Sequence, residues 1–116
     1  MSQQLTSFRF PFLPVRLQLG QQTYDEEALV DTGFDGSMAV PPSLLEGQEP
    51  DWHQIWTLAD GSQVPSPVYR GIAQLGDFQP IAVPVVALGD EWIIGLGILR
   101  HFALLFDHGQ RVVVSP

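Results

Sequence analysis

Cysteine and lysine are both missing from this chain of 116 residues. Without cysteine there is no disulfide, no thiol nucleophile and no thiolate metal site, and the redox compartment is left undetermined. The five basic residues are all arginines and stand against thirteen acids, for a formal net charge of -8. Such a field repels phosphate backbones and anionic lipid surfaces, which argues against nucleic acid and membrane as partners. Long apolar runs are scarce as well. The most apolar stretch, "WIIGLGILRHFALLF", carries Arg100 and His101 in its middle and is too short on either side of them to cross a bilayer. Near the start, Arg9, Pro11, Pro14 and Arg16 interrupt the apolar residues, so no signal peptide is read there and a soluble, cytoplasmic protein is expected. Also absent is the sustained apolar period of a long amphipathic helix, and ten Pro and eleven Gly cut the chain into short segments. One mostly β domain over residues 1–116 is expected, its modest core open to supplement by an oligomer interface.

Apolar and polar residues alternate in "VRLQL", residues 15–19, and "GQQT" then turns the chain into a second strand ending at Asp31. "SMAV" reads as a short strand, "PPSLL" as a helical turn with Ser43 near its start, and "EGQEPD" as a surface loop. Apolar residues flank an Asp-Gly pair in "WHQIWTLADGSQV", which predicts a hairpin with its tip at Ala59 to Ser62. "VYRGIAQLGDFQPIAVPVVAL" predicts two further strands around Gly76-Asp77, with Pro84 placing part of the second at an edge or bulge. "GILRHF" is the helix candidate, and "ALLFD", "HGQ" and "RVVVSP" close the chain as a hairpin.

The chemistry concentrates in "EEALVDTGFDG", where the apolar run Ala28-Leu29-Val30 ends in Asp31, Thr32 and Gly33. A carboxylate used as a general acid or base must be held at the end of an element, with room for donors to approach it. Gly33 lacks a Cβ, so its N–H can come close to the Asp31 carboxylate, and the Thr32 hydroxyl can donate one bond and accept another. The tripeptide alone arises by chance in roughly one chain in fifty of this length, so context must carry the reading.

That context resembles a known family. An apolar strand leading into Asp-Thr-Gly, an Asp-Gly hairpin in mid-chain and "IIGLGILR" opening a short helix, in this order over about residues 15–114, resemble a retropepsin-type (clan AA) single-domain aspartic protease. Phe34 after the tripeptide is similar to the small cellular members rather than the retroviral ones. The resemblance implies an all-β closed barrel or sandwich with a flap hairpin and one short helix near the C-terminus. It implies an aspartic endopeptidase that needs no metal or other cofactor and acts on peptide or protein substrates.

Asp35, Asp60 and Asp107 each lack a following Thr-Gly or Ser-Gly, so the chain holds one copy of the motif, and the resemblance implies a homodimer pairing two copies of Asp31. By the same resemblance, Thr32 bonds to the opposite subunit's loop and the Gly33 carbonyl meets the substrate backbone. Phe34 and Asp35 stand at substrate-facing positions, and Phe34, which departs from the usual small residue there, either narrows one pocket, the favoured reading, or fills core. Ala59, Asp60, Gly61 and Ser62 form the flap tip over an extended peptide. Gly95 and Leu99 are structural support beneath the active-site strand. Leu96 stands where retroviral members carry an Arg that pairs with the acid kept here as Asp35, so the dimer is expected without that ion pair. The termini "FRFPF" and "VVVSP" are candidates for a dimer sheet. The alternative function is a non-catalytic dimerisation or peptide-binding module on the same fold.

Other residues read as plain structure. His101 and His108 are expected at the surface or an interface rather than on a metal, and Trp52, Trp56 and Trp92 as core or flap packing. "GLG" lacks the third glycine and the strand-helix-strand unit of a nucleotide loop.

Overall fold

A computed structural model describes residues 3–116. Among them no helix is long and apolar enough to cross a membrane. The chain runs β1 (Leu5–Ser7), β2 (Phe12–Leu19), β3 (Gln22–Val30), β4 (Met38–Val40), a 3-10 turn (Pro42–Leu45), β5 (Trp52–Thr57), β6 (Gln63–Gln74), β7 (Ile81–Ala87), β8 (Ile93–Ile94), α1 (Leu96–Leu99), β9 (Ala103–Asp107) and β10 (Arg111–Ser115). The larger sheet has the order β2-β3-β8-β4-β7-β6-β5, and an added pairing of β2 with β6 closes six of its strands into a barrel. Only β5 stays outside that ring, as the outer arm of the hairpin it forms with β6.

Period-two patterning decides what the barrel encloses. On β2 it buries Leu13, Val15, Leu17 and Leu19 and sends Arg16 and Gln18 outward. Ala28, Val30, Met38, Val40, Val83, Val85 and Ile94 complete the same core, into which α1 adds Ile98 and Leu99. Each buried Leu or Ile contributes about 1.5–3 kcal/mol by leaving water, the force that holds the short strands together. At Gly71 the absence of a side chain lets Leu17 and Val85 close over the backbone, since a Cβ there would lie 3.0 Å from each.

Beside the barrel, β1, β10 and β9 form a three-stranded antiparallel sheet, with Val112 and Val114 turned into the main core. The expected first hairpin is present with a two-residue turn, because Leu19 pairs with Gln22. The helical turn, the central hairpin and the C-terminal hairpin lie where the sequence places them. Pro84 sits just before the residues of β7 that pair with β4, so β7 has only β6 beside it there, the partial edge expected.

Three expectations are corrected. "VYRGIAQ" is no separate strand but the second half of β6, continuous with the hairpin arm through Pro65 and Pro67. The helix is shorter than "GILRHF" and begins one residue earlier, at Leu96, because the chain must leave it by Phe102 to enter β9. "FRFPF" is mostly a turn: the buried Ser7 hydroxyl donates to the Phe12 carbonyl (2.6 Å) and accepts from the Arg9 N–H (3.2 Å), and the strand paired with "VVVSP" is β1.

Candidate active site

Asp31 follows the last residue of β3, and its position is set by the segment that crosses beneath it. The two residues of β8 lie parallel to β3 on one side and antiparallel to β4 on the other. The loop over residues 31–37 joins those two neighbours and is tied to the same crossing segment. Asp31 N–H donates to the Ile94 carbonyl (3.0 Å), Gly95 N–H to Ser37 (3.0 Å), Leu96 N–H to Phe34 (2.9 Å) and Gly97 N–H to Gly36 (2.9 Å). Gly95 is the pivot, because a Cβ on it would run into the Gly36 carbonyl and lie 2.6 Å from the Phe34 carbonyl.

Within the loop, the Gly33 N–H donates to Asp31 Oδ1 at 2.8 Å. A Cβ at Gly33 would stand 3.2 Å from that oxygen, so glycine leaves the carboxylate its donor without crowding. Asp31 is half-buried, while Thr32, Gly33 and Asp35 are exposed. The motif therefore lies at the chain's surface, with its carboxylate anchored through one oxygen.

Phe34 turns back onto the loop, its N–H donating to the Asp31 carbonyl (3.2 Å). Its ring fills the space that side chains at Gly36 or Gly95 would need, lying 2.5 Å from an ideal Cβ at each. With Ile93 it packs against the small satellite core of Ala39, Val68 and Val86. The same ring lines a narrow cleft whose other walls include Met38, Trp56, Pro84 and Val86, with Asp35, Ser37 and Gln54 as its polar lining. Gly36, Ser37 and Gln54 were not singled out from the sequence, and Trp56 was expected as core or flap packing. The repeated glycine in "GFDGS" is the signal available for Gly36, since a glycine two residues after an aromatic can leave a seat for the ring.

The tip residues of the β5–β6 hairpin form a unit of their own. Asp60 Oδ1 accepts from the Ser62 N–H (2.9 Å) and the Ser62 hydroxyl (2.6 Å), and Gly61 takes a positive φ of 86° between them. The Ser62 hydroxyl, then its amide, hold the Asp60 carboxyl below its ordinary value. Ala59 to Ser62 are all exposed, and the hairpin arms display Ile55, Leu58 and Val64 to solvent. Trp52 at its base lies under the Arg70 guanidinium (5.5 Å), Trp56 is half-buried, and Trp92 is buried against Tyr24 (5.9 Å).

Thus the structure brings Asp31, Gly33, Phe34 and Gly95 into one bonded loop, keeps the buried Leu99 one helical turn away through its N–H to Gly95 (3.0 Å), and sets the hairpin tip apart. His101 and His108 are exposed, and His108 Nδ1 meets Asp107 Oδ1 at 2.5 Å. Among the described residues no group of three or more His, Asp or Glu is placed to hold a metal ion.

No family model matches the sequence, and no curated protein matches it either. Solved structures do. The crystal structure of a retropepsin-like aspartic protease from Rickettsia conorii aligns with a TM-score of 0.65 at 15% identity, over 99% of this chain and 92% of that one. The solution structure of the simian foamy virus (mac) protease aligns with a TM-score of 0.54 at 17% identity, over 75% of this chain and 91% of that one. The fold is retropepsin-like.

Proposed function

We propose that the chain is an aspartic endopeptidase that works as a homodimer, each subunit supplying one Asp31. The observation that carries this reading is the anchored, surface-lying Asp31 carboxylate on a retropepsin-like fold. Exposure of Thr32 and Gly33 leaves the loop free to meet a second copy across a two-fold axis. Two carboxylates brought that close do not both ionise, so the pair holds one proton between them.

The ionised Asp31 takes a proton from a bound water, whose oxygen adds to the peptide carbonyl carbon. The protonated Asp31 gives its proton to the carbonyl oxygen, yielding a tetrahedral diol. Collapse of the diol breaks the C–N bond as one Asp31 carboxyl gives its proton to the leaving nitrogen and the other takes the proton of a diol hydroxyl, so that one proton is again shared. No covalent enzyme intermediate forms in this sequence. The β5–β6 hairpin serves as the flap, its exposed Ile55, Leu58 and Val64 covering an extended substrate strand. Asp35 and Leu96 form no ion pair in this dimer, so the subunits are held by other contacts.

A diverse peptide library, incubated between about pH 4 and 7 with wild type and with Asp31→Asn and read by mass spectrometry, tests the proposal. Cleavage by wild type alone, with the variant equally folded, is the expected result. No cleavage by a sample shown to be dimeric would overturn catalysis and leave a peptide-binding or dimerisation module.

A further inference from the structure

Beside the Asp31 loop, the cleft walled by Phe34 encloses about 50 Å³. A single water needs about 10–15 Å³ of such space, so the cleft takes roughly three or four heavy atoms and no aromatic ring. Phe34 causes this. Its ring is seated where Gly36 and Gly95 lack side chains, and its far side rests on the satellite core that includes Val86. Trp56 from the hairpin arm and Pro84 from β7 close the remaining walls.

We infer that Phe34 is a size gate for substrate: the cleft receives one side chain near the cut bond, accepts Ala, Ser, Thr or Val there, and rejects aromatic residues. This rests on the proposed peptidase function and deepens it. Apolar walls, with Ser37, Gln54 and the exposed Asp35 as the polar part of the lining, suit a small side chain that is either aliphatic or carries a hydroxyl and disfavour an acidic one. A ring held by two glycines cannot swing aside without losing its packing, so the limit is built into the loop rather than imposed by an adjustable surface.

Full-length wild type, Phe34→Leu and Phe34→Ala, each confirmed folded and dimeric, are given one peptide library randomised around a central bond. Cleaved sequences are counted by position. At one position the wild type should disfavour Phe, Tyr and Trp by about tenfold or more, as pockets commonly do for groups that do not fit. Phe34→Ala should remove that bias, and Phe34→Leu should reduce it. If Phe34→Ala fails to fold, Phe34→Leu decides. Identical residue profiles at every position in wild type and the folded variants overturn the gate.

The same library is bound in parallel to Asp31→Asn with and without each Phe34 change, which separates the gate from catalysis. Binding that shows the size limit without cleavage by any protein supports the gate and overturns the peptidase. Absence of both cleavage and size-selective binding overturns both.

Discussion

At Gly95 the backbone of the crossing segment touches the backbone of the Asp31 loop, so no side chain can be inserted without moving one of them. Gly95→Ala is expected to cost about 3 kcal/mol or more, at or above the upper end of ordinary overpacking, because the obstructing atoms are carbonyl oxygens rather than flexible side chains. Urea denaturation measures it, and a loss under about 1 kcal/mol would contradict the crowding argument. A second test sits at the hairpin tip. Ser62→Ala removes the hydroxyl that chiefly lowers the Asp60 titration, so that titration should move up toward the ordinary carboxylate value in an NMR pH series. An unchanged midpoint would reject the bond as the cause. At this scale the motif was legible, because Asp31, Thr32 and Gly33 are contiguous and their loop bond is local. The seat of Phe34 was not, since Gly95 reaches the ring only through the fold.

The long strand β6 shows why the elements were partly hidden. Pro65 and Pro67 in "VPSPVYR" suggest an interruption, yet the strand runs through both. They pair with Ile55 and His53, positions alternate to the Leu58–Ser62 pair whose N–H and carbonyl meet at 2.9 Å, so their missing N–H groups point away from β5. The outer edge of β6 near the tip therefore offers few donors to a passing strand, a protection against edge pairing. Elements whose apolar residues alternate were readable; a two-residue strand such as β8 was not, being held by neighbours on both sides rather than by its own pattern. On β2 the alternation gives a direct prediction. Leu17 is fully buried and faces Gly71, so Leu17→Ala should destabilise by about 2–5 kcal/mol in chemical denaturation. A loss below about 1 kcal/mol would mean that the barrel collapses onto the cavity.

At the scale of the molecule, three carboxylates among the described residues titrate below their ordinary value. Asp25 is lowered by Arg16, Asp60 by Ser62, and Asp107 by His108 and then Arg111, whose Nε donates to Asp107 Oδ2 at 2.5 Å. Since the folded chain binds these protons less readily than the unfolded chain, their stabilisation is complete above about pH 4 and fades as pH falls through the lower folded values. Thermal melts should hold level from about pH 7 to pH 5 as far as these groups are concerned and decline below about pH 4, with the Arg16–Asp25 share weakened by salt. A decline beginning well above pH 5 would point to other groups. The small sheet leaves β9 at its edge with Leu105 and Phe106 exposed, Phe10 stacked edge-on against Phe106 at 5.7 Å. If two copies meet through this sheet, Leu105→Asp should weaken the dimer by about tenfold or more in sedimentation, as loss of a buried apolar contact does. An unchanged dimer would place the contact elsewhere.

One bond has a consequence in time. The Asp31 N–H finds its acceptor in Ile94, more than half the chain later. A ribosome making this chain therefore releases Asp31, Thr32 and Gly33 long before the segment that shapes their loop, and the nascent chain carries no assembled carboxylate loop until Ile94 to Gly97 have followed. Closing so distant a contact is slow by its nature, so Asp31 stays without its backbone anchor until the two segments meet.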